Sequence, residues 1–232
     1  MEMTKDKEQK AQLLYLILAA IFISSLVACN LIFQKFFFWK PFAWFNIDFE
    51  FEISVGLIPY PITFLVTDLI SELYGQKKAN RVVMAGLVAS VFVLGIVLVS
   101  MAVPATSWSP VSDETFSGVF GLTGLAVFAS MMAYLFAQFI DIRIFHFWKR
   151  LTKGKMLWLR NNFSTIPSQF VDTLLVLGLL CSFGAIPWDK FYILFLNGFI
   201  YKVVVALLDT PLFYLTTAWA RKSFGLGLND EL

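Results

Sequence analysis

The sequence predicts an all-α membrane protein: a six-transmembrane-helix bundle with one short proline-containing helix and an extended outer segment. Three observations predict it. Of the 232 residues, 59% are hydrophobic and only 15% are charged, where soluble domains average about a quarter charged. Three stretches, 11–33, 82–103 and 119–140, run 22 or 23 residues without a charged side chain, enough to span about 30 Å of hydrocarbon at about 1.5 Å per residue. The Lys and Arg residues fall almost entirely on alternate connections.

Six spans follow, at about 11–33, 55–74, 80–103, 118–142, 165–186 and 191–219. With these bounds, fourteen Lys and Arg lie on one side and three (Lys35, Lys40 and Lys190) on the other. The excess of cations on the cytoplasmic side of membrane proteins then puts both termini in the cytoplasm. Residues 1–10 and 220–232 become cytoplasmic tails around a transmembrane domain of residues 11–219.

The first span is too long for the apolar core of a signal peptide, and no small-residue cleavage site follows it, so it reads as a retained helix. Its Ala20, Ser24 and Ala28, at four-residue spacing, allow close packing against an internal neighbour or a partner subunit, which leaves a homodimer open. Residues 47–55 alternate apolar and polar, the period of a strand or extended hairpin over the outer mouth; the plainer reading is an interfacial loop. In span two, Pro59 and Pro61 delay a regular helix until near Pro61, and Gly75 caps it. About 14 residues remain, or about 20 Å, short for a crossing. Span six is 29 residues long and must tilt, kink near Pro211 or protrude. Cys29 and Cys181 are isolated and give neither a disulfide framework nor a metal spacing.

Four carboxylates stand inside apolar stretches: Asp68, Glu72, Asp172 and Asp209. A charge at the centre of a membrane helix costs roughly 2.5–3.5 kcal/mol on insertion scales. Asp68 and Glu72, four apart, share a helix face, and Asn161, Thr165, Ser168, Gln169 and Asp172 form one stripe. The predicted bounds put Asp68, Asp172 and Asp209 about 10, 9 and 15 Å from the inner surface, in one layer of a wet cavity. The blander reading is polar glue between helices, worth about 0.6 kcal/mol per pair. Surplus acid suits a cation, a donor-rich ligand or protons in transit. Lys202 leans away from Asp209 along its helix, so its partner lies on another helix or it snorkels to the surface. Asp141 beside Arg143 reads as a solvated pair, and His146 beside Trp148 as interfacial. Phe64, Phe163 and Phe170 flank the acids and can stack a flat ring, with lipid contact or packing as the default.

The run Pro61-Ile62-Thr63-Phe64-Leu65-Val66-Thr67-Asp68-Leu69-Ile70-Ser71-Glu72-Leu73-Tyr74-Gly75 is followed by Arg160-Asn161, Ser164-Thr165, Ser168-Gln169 and Asp172-Thr173. Together these runs resemble the queuosine precursor transporter family, also called the vitamin uptake transporters. The likeness extends over nearly the whole chain in length, span number and motif order. It implies a multi-pass protein of the prokaryotic cytoplasmic membrane that imports 7-deazaguanine bases, such as the 7-cyano and 7-aminomethyl forms, without a cofactor and without touching nucleic acid. Such a base presents a ring N–H and an exocyclic amine that one carboxylate can accept together. Its carbonyl suits Asn161, Gln169 or Arg160, its face suits Phe64, and an aminomethyl group suits a second carboxylate, Glu72 or Asp209. The expected site is therefore Phe64, Asp68, Glu72, Arg160, Asn161, Ser168, Gln169, Asp172 and Asp209.

Three other readings compete. A substrate-binding subunit of an ATP-driven importer would dock its partner through helix one. An intramembrane enzyme would have to work with carboxylates, because His146 is alone, the cysteines are separated and no activated serine is in view. A structural or assembly factor leaves the deep acids without a purpose.

Overall fold

The computed structural model describes residues 5–40, 50–121, 124–227 and 230–232, the side chains of 125–127, 129 and 130 excepted. In chain order the elements are α1 (Lys5–Ile32), β1 (Phe36–Trp39), β2 (Phe51–Ser54), α2 (Tyr60–Tyr74), α3 (Gln76–Ala102), α4 (Asp113–Phe120), α5 (Gly124–Leu151), α6 (Leu157–Ser182) and α7 (Phe191–Phe224). Among the described residues, five helical stretches, those holding α1, α2, α3, α6 and α7, are long and apolar enough to cross a membrane. Their outward faces carry Leu16, Phe92, Val99, Leu208 and Leu215, each more than 60% exposed. Polar groups fill the interior instead: Thr63, Thr67, Ser71, Gln138, Ser164 and Ser168 are wholly buried. An apolar exterior around a polar interior is the arrangement of a helical membrane protein.

Helix α1 starts at Lys5, within the predicted tail, where Lys10 pairs with Asp6 at 2.7 Å one turn back. It packs through Phe22, Ser25, Leu26 and Cys29. Of the small-residue face, Ala20 and Ser24 are exposed and Ala28 is half-buried. The hairpin pairs Phe36 with Ser54 and Trp39 with Phe51, antiparallel. Of the alternating run 47–55, residues 47–49 lie outside the described ones; in β2, Phe51 and Ile53 face inward as the period requires. A short 3-10 turn then presses onto α1. There Ser54 Oγ donates to the Phe33 carbonyl at 2.5 Å, and a Cβ on Gly56 would lie 2.9 Å from the Cys29 carbonyl oxygen.

Helix α2 has 15 residues, with Pro61 in its first turn, where a missing N–H breaks no helical bond. Gly75 follows at φ 81°, a conformation that suits glycine and lets the chain turn at once into α3. The predicted fourth span splits: residues 113–120 form α4, capped by Ser112 Oγ accepting from the Thr115 N–H, and α5 starts at Gly124. The boundary error that matters most for the site is in α6, which begins at Leu157 rather than near residue 165. Arg160, Asn161, Asn162, Ser164 and Thr165 are helical and buried. Hydropathy reads such a run as a loop because it cannot see that other helices cover it. Helix α7 runs 34 residues through Pro211 and stops at Gly225, whose N–H, with that of Leu226, returns to the Arg221 carbonyl. The hairpin marks one end of the bundle. Lys77, Lys78, Lys149, Arg150, Arg221 and Lys222 mark the other, the basic end.

Candidate functional site

Along α2, Tyr60, Phe64, Asp68 and Glu72 recur every four residues and are all buried. They form one stripe rising about 6 Å per step, some 18 Å in all. Helix α6 runs the opposite way and brings Asp172, Gln169, Thr165 and Arg160 to the same four levels. Helices α5 and α7 close the sides.

At the hairpin end lies a cavity of about 140 Å³, walled by α1, the hairpin, α6 and α7 and bordered by Tyr60, Tyr134, Asp172 and Lys202. Lys202 Nζ donates to Asp172 Oδ2 at 2.7 Å and to Thr173 Oγ1 at 3.0 Å. It also stands 4.4 Å from the centre of the Tyr60 ring, a cation–π distance. Lys202 therefore finds its partner on another helix, one of the two outcomes expected from its lean. Three buried atoms of cavity-lining residues lack a hydrogen-bond partner: Asp172 Oδ1, the Tyr60 hydroxyl and Asn30 Nδ2. A buried polar atom left unpaired costs about 1–3 kcal/mol.

Below this, the Phe64 ring packs against Tyr60 and Tyr134, with centroids 5.5 and 5.9 Å away. A void of about 10 Å³, room for about one water molecule, is bordered by Tyr60, Phe64, Thr165, Gln169, Lys202 and Asp209. Gln169 Oε1 has no donor.

The third level is acidic. Asp68 Oδ2 accepts from Thr165 at 3.4 Å and Asp141 Oδ1 from Ser168 at 3.0 Å. Asp141, within hydrogen-bonding reach, and Asp209 are the acidic neighbours of Asp68, and Asn161 stands beside Asp209. Asp68 Oδ1, Asp141 Oδ2 and Asp209 Oδ1 have no donor. The basic side chains of this region pair with Glu72 and Asp172 instead.

At the fourth level Glu72 Oε1 accepts from Arg160 at 3.1 Å and from Arg221 at 2.5 Å. Lys149 lies 3.7 Å from Oε2, donates to the Glu72 backbone carbonyl at 3.2 Å, and also reaches Glu231 at 3.4 Å. One buried carboxylate thus ties α2 to α5, α6 and α7.

The predicted residues therefore gather along one path but not in one layer. Because α6 starts early, Asp172 is 15 residues into it, about 22 Å from the basic end, and borders the cavity rather than joining Asp68 and Asp209. Asp141 takes its place in that layer. Asp141 is fully buried while Arg143 is exposed, so the two do not form a solvated pair. Arg160 belongs with Glu72, Ser168 with Asp141, and Asn161 with Asp209. Phe64 is buried, whereas Phe163 and Phe170 are 49% and 44% exposed and face outward. His146 is buried at 8%, with its ring 5.6 Å from Phe145. Sequence reasoning overlooked Tyr60, Asn30 and Gln138. Tyr60 was within reach, since it continues the stripe of Asp68 and Glu72 by two further steps of four.

Buried ionisable groups strung through the polar interior of an apolar helix bundle, with a cavity at one end, define a multi-pass membrane protein. Residues 54–216 match the family described as "Putative vitamin uptake transporter", and the chain belongs to that family. It is 26% identical over 167 residues to a "Probable queuosine precursor transporter" of Bacillus subtilis, covering 72% of each chain. It is 27% identical over 124 residues to a "Queuosine precursor transporter" of Escherichia coli, covering 53% of each. A third relative, a "Probable queuosine precursor transporter" of Haemophilus influenzae, is 26% identical over 132 residues, 54% of this chain and 51% of that one. The chain thus spans about half the length of the latter two. No solved structure matches it significantly.

Proposed function

We propose that the protein imports a queuosine precursor, a 7-deazaguanine base, across a prokaryotic cytoplasmic membrane. The observation that carries this reading is the cavity at the hairpin end, which stops at a buried carboxylate while a line of polar groups continues beneath it to the basic end. Family membership and the names of the relatives supply the substrate class. In this reading α1, α2, α3, α5, α6 and α7 all cross the membrane. The cations gathered at the basic end support a cytoplasmic position for that end and for both termini.

The proposed site residues act in sequence along the path. Asp172 receives the base; Phe64 and Gln169 line the narrow passage below it. Asp68, Asp209, Asn161 and Ser168 offer hydrogen bonds at the acidic level, and Glu72 with Arg160 closes the cytoplasmic end. Three carboxyl groups in one buried layer, none paired to a Lys or Arg among the described residues, are fitted to take up and release protons, and so to couple import to a proton gradient.

Uptake of labelled base by cells lacking their own importer tests this. Asp172→Asn and Asp68→Asn should each reduce the initial rate at least tenfold, the effect of about 1.4 kcal/mol. Wild-type rates in both variants would remove the site assignment. Collapsing the proton gradient should stop accumulation; unchanged accumulation would leave a facilitator.

A further inference from the structure

We infer that the cavity at the hairpin end is a recognition site for one flat, uncharged or cationic heteroaromatic base, read by Asp172 Oδ1, the Tyr60 hydroxyl and the Asn30 amide. The inference rests on the transport reading only for which ring is carried; the chemistry of the site comes from the cavity itself. Neither Tyr60 nor Asn30 was among the residues expected at the site.

The first argument is what each polar atom already does. Lys202 is occupied: two hydrogen bonds go to Asp172 Oδ2 and Thr173 Oγ1, and its charge lies against the Tyr60 ring. It takes up Oδ2 of Asp172 and so removes one oxygen from the cavity's use. The other oxygen, Oδ1, is left as a strong acceptor with no donor. The Tyr60 hydroxyl, able to give one hydrogen bond and accept another, faces the same Asp172 carboxylate and has no other hydrogen-bond partner among the described residues, and Asn30 Nδ2 is a donor without an acceptor. All three residues line the same cavity, Asn30 also touching a void of about 30 Å³ beside it. Folded proteins leave few buried polar atoms unpaired. Three around one space match a ligand with an N–H to give to the carboxylate and a carbonyl-type acceptor for the amide.

The second argument is what the cavity excludes. Most of the remaining wall is apolar, with Leu57, Leu177, Leu180 and Leu194 among it, as the faces of a flat ring require. Asp172 pairs with Lys202 and Glu52 also lines the cavity, so a phosphate would find no spare cation among the described lining residues. At about 140 Å³ the space is below the roughly 300–1,000 Å³ of sites for drug-sized ligands. A free base fits this description; a nucleotide does not.

The test is equilibrium binding to the purified full-length protein in detergent, using 7-cyano-7-deazaguanine, 7-aminomethyl-7-deazaguanine, guanine, hypoxanthine, adenine and GMP. Bases presenting an N–H beside an amine should bind, hypoxanthine about tenfold more weakly for its missing donor, and GMP not at all. Tyr60→Phe removes a hydroxyl whose one protein neighbour for hydrogen bonding is the Asp172 carboxylate, already held by Lys202, so the unliganded melting temperature should change little while base affinity falls about tenfold. A purely structural hydroxyl would do the reverse. Asn30→Leu should weaken binding of carbonyl-bearing bases more than that of adenine. If the wild type binds and both variants match it, the site assignment is overturned and the transport reading survives. If guanine binds but neither deazaguanine does, the site stands and the substrate proposed above falls. If no base binds, or GMP binds as well as guanine, the inference is wrong.

Discussion

The two ends of the bundle treat buried charge in opposite ways. At the hairpin end one carboxylate meets one cation, Asp172 with Lys202, beside 140 Å³ of space and with an oxygen left over. At the basic end one carboxylate meets three cations, and Glu72 is wholly buried among Arg160, Arg221 and Lys149. An acceptor held in excess beside a cavity is fitted to binding. Cations held in excess around a single acceptor from another helix are fitted to closure, because every one of them lets go together when that acceptor moves. Between the two lies the acidic layer, which has neither arrangement. The hairpin end thus holds the cavity and the basic end the latch, the two parts an alternating cycle needs in the transport reading.

The largest expected effect is at the hairpin end. Lys202→Met leaves Asp172 as an uncompensated buried charge, a loss of about 3–5 kcal/mol, whereas removing both charges of such a pair is often close to neutral. Thermal unfolding in detergent should show Lys202→Met strongly destabilised and Lys202→Met with Asp172→Leu largely recovered. Uptake should stay absent in both, since the recovered variant lacks the acceptor oxygen. A double variant as unstable as the single one would mean that the pair is not what Lys202 is there for.

The basic end should respond less in stability and more in access. Glu72→Gln weakens three charge-assisted contacts, worth about 1.5–3 kcal/mol for a hydrogen bond to a charged group, and loosens the grip on α5, α6 and α7. With Cys29 and Cys181 replaced by serine, a thiol placed by Ala220→Cys, at a position 1% exposed, should react several-fold faster with a reagent supplied from the cytoplasmic side once Glu72 is gone. Equal rates with and without Glu72 would break the contrast between the two ends.

Much of this was legible in the sequence, and the failures share one cause. Apolar length and the alternation of cations locate the long helices, and the four-residue spacing of Asp68 and Glu72 gives their shared face. The chain does not announce which polar residues are covered. Arg160 to Ser164 fell outside the predicted span, although Asn161 was read on the same helical stripe as Thr165, because side chains that look solvated are buried by α2, α5 and α7. That single boundary error moved Asp172 by more than two helical turns and placed it with the wrong acids. Asp141 was lost for the same reason: its neighbour in sequence, Arg143, is a cation, but its neighbours in space are Ser168 and Asp68. Partners across a polar interior follow from packing between distant segments, which no local pattern encodes.

The smallest expected effect separates the built mouth of the cavity from the lipid-facing surface around it, using the same substitution at two glycines. A Cβ on Gly56 would stand 2.9 Å from the Cys29 carbonyl oxygen in α1 and from the Cα of Phe33 just after it, both backbone atoms that cannot swing aside. Gly56→Ala should therefore lift the turn and hairpin off α1 and lower stability by about 1–3 kcal/mol, the usual penalty of overpacking. A Cβ on Gly178, within α6, meets nothing within 4 Å. There alanine should stabilise by up to about 1 kcal/mol through its better helix propensity. Melting temperatures of the two variants should move in opposite directions, and only Gly56→Ala should weaken base binding, because it alone moves a wall of the cavity. If both glycines tolerate alanine equally, the hairpin is not seated on α1 as described, and the open character of that end would owe nothing to the turn that borders it.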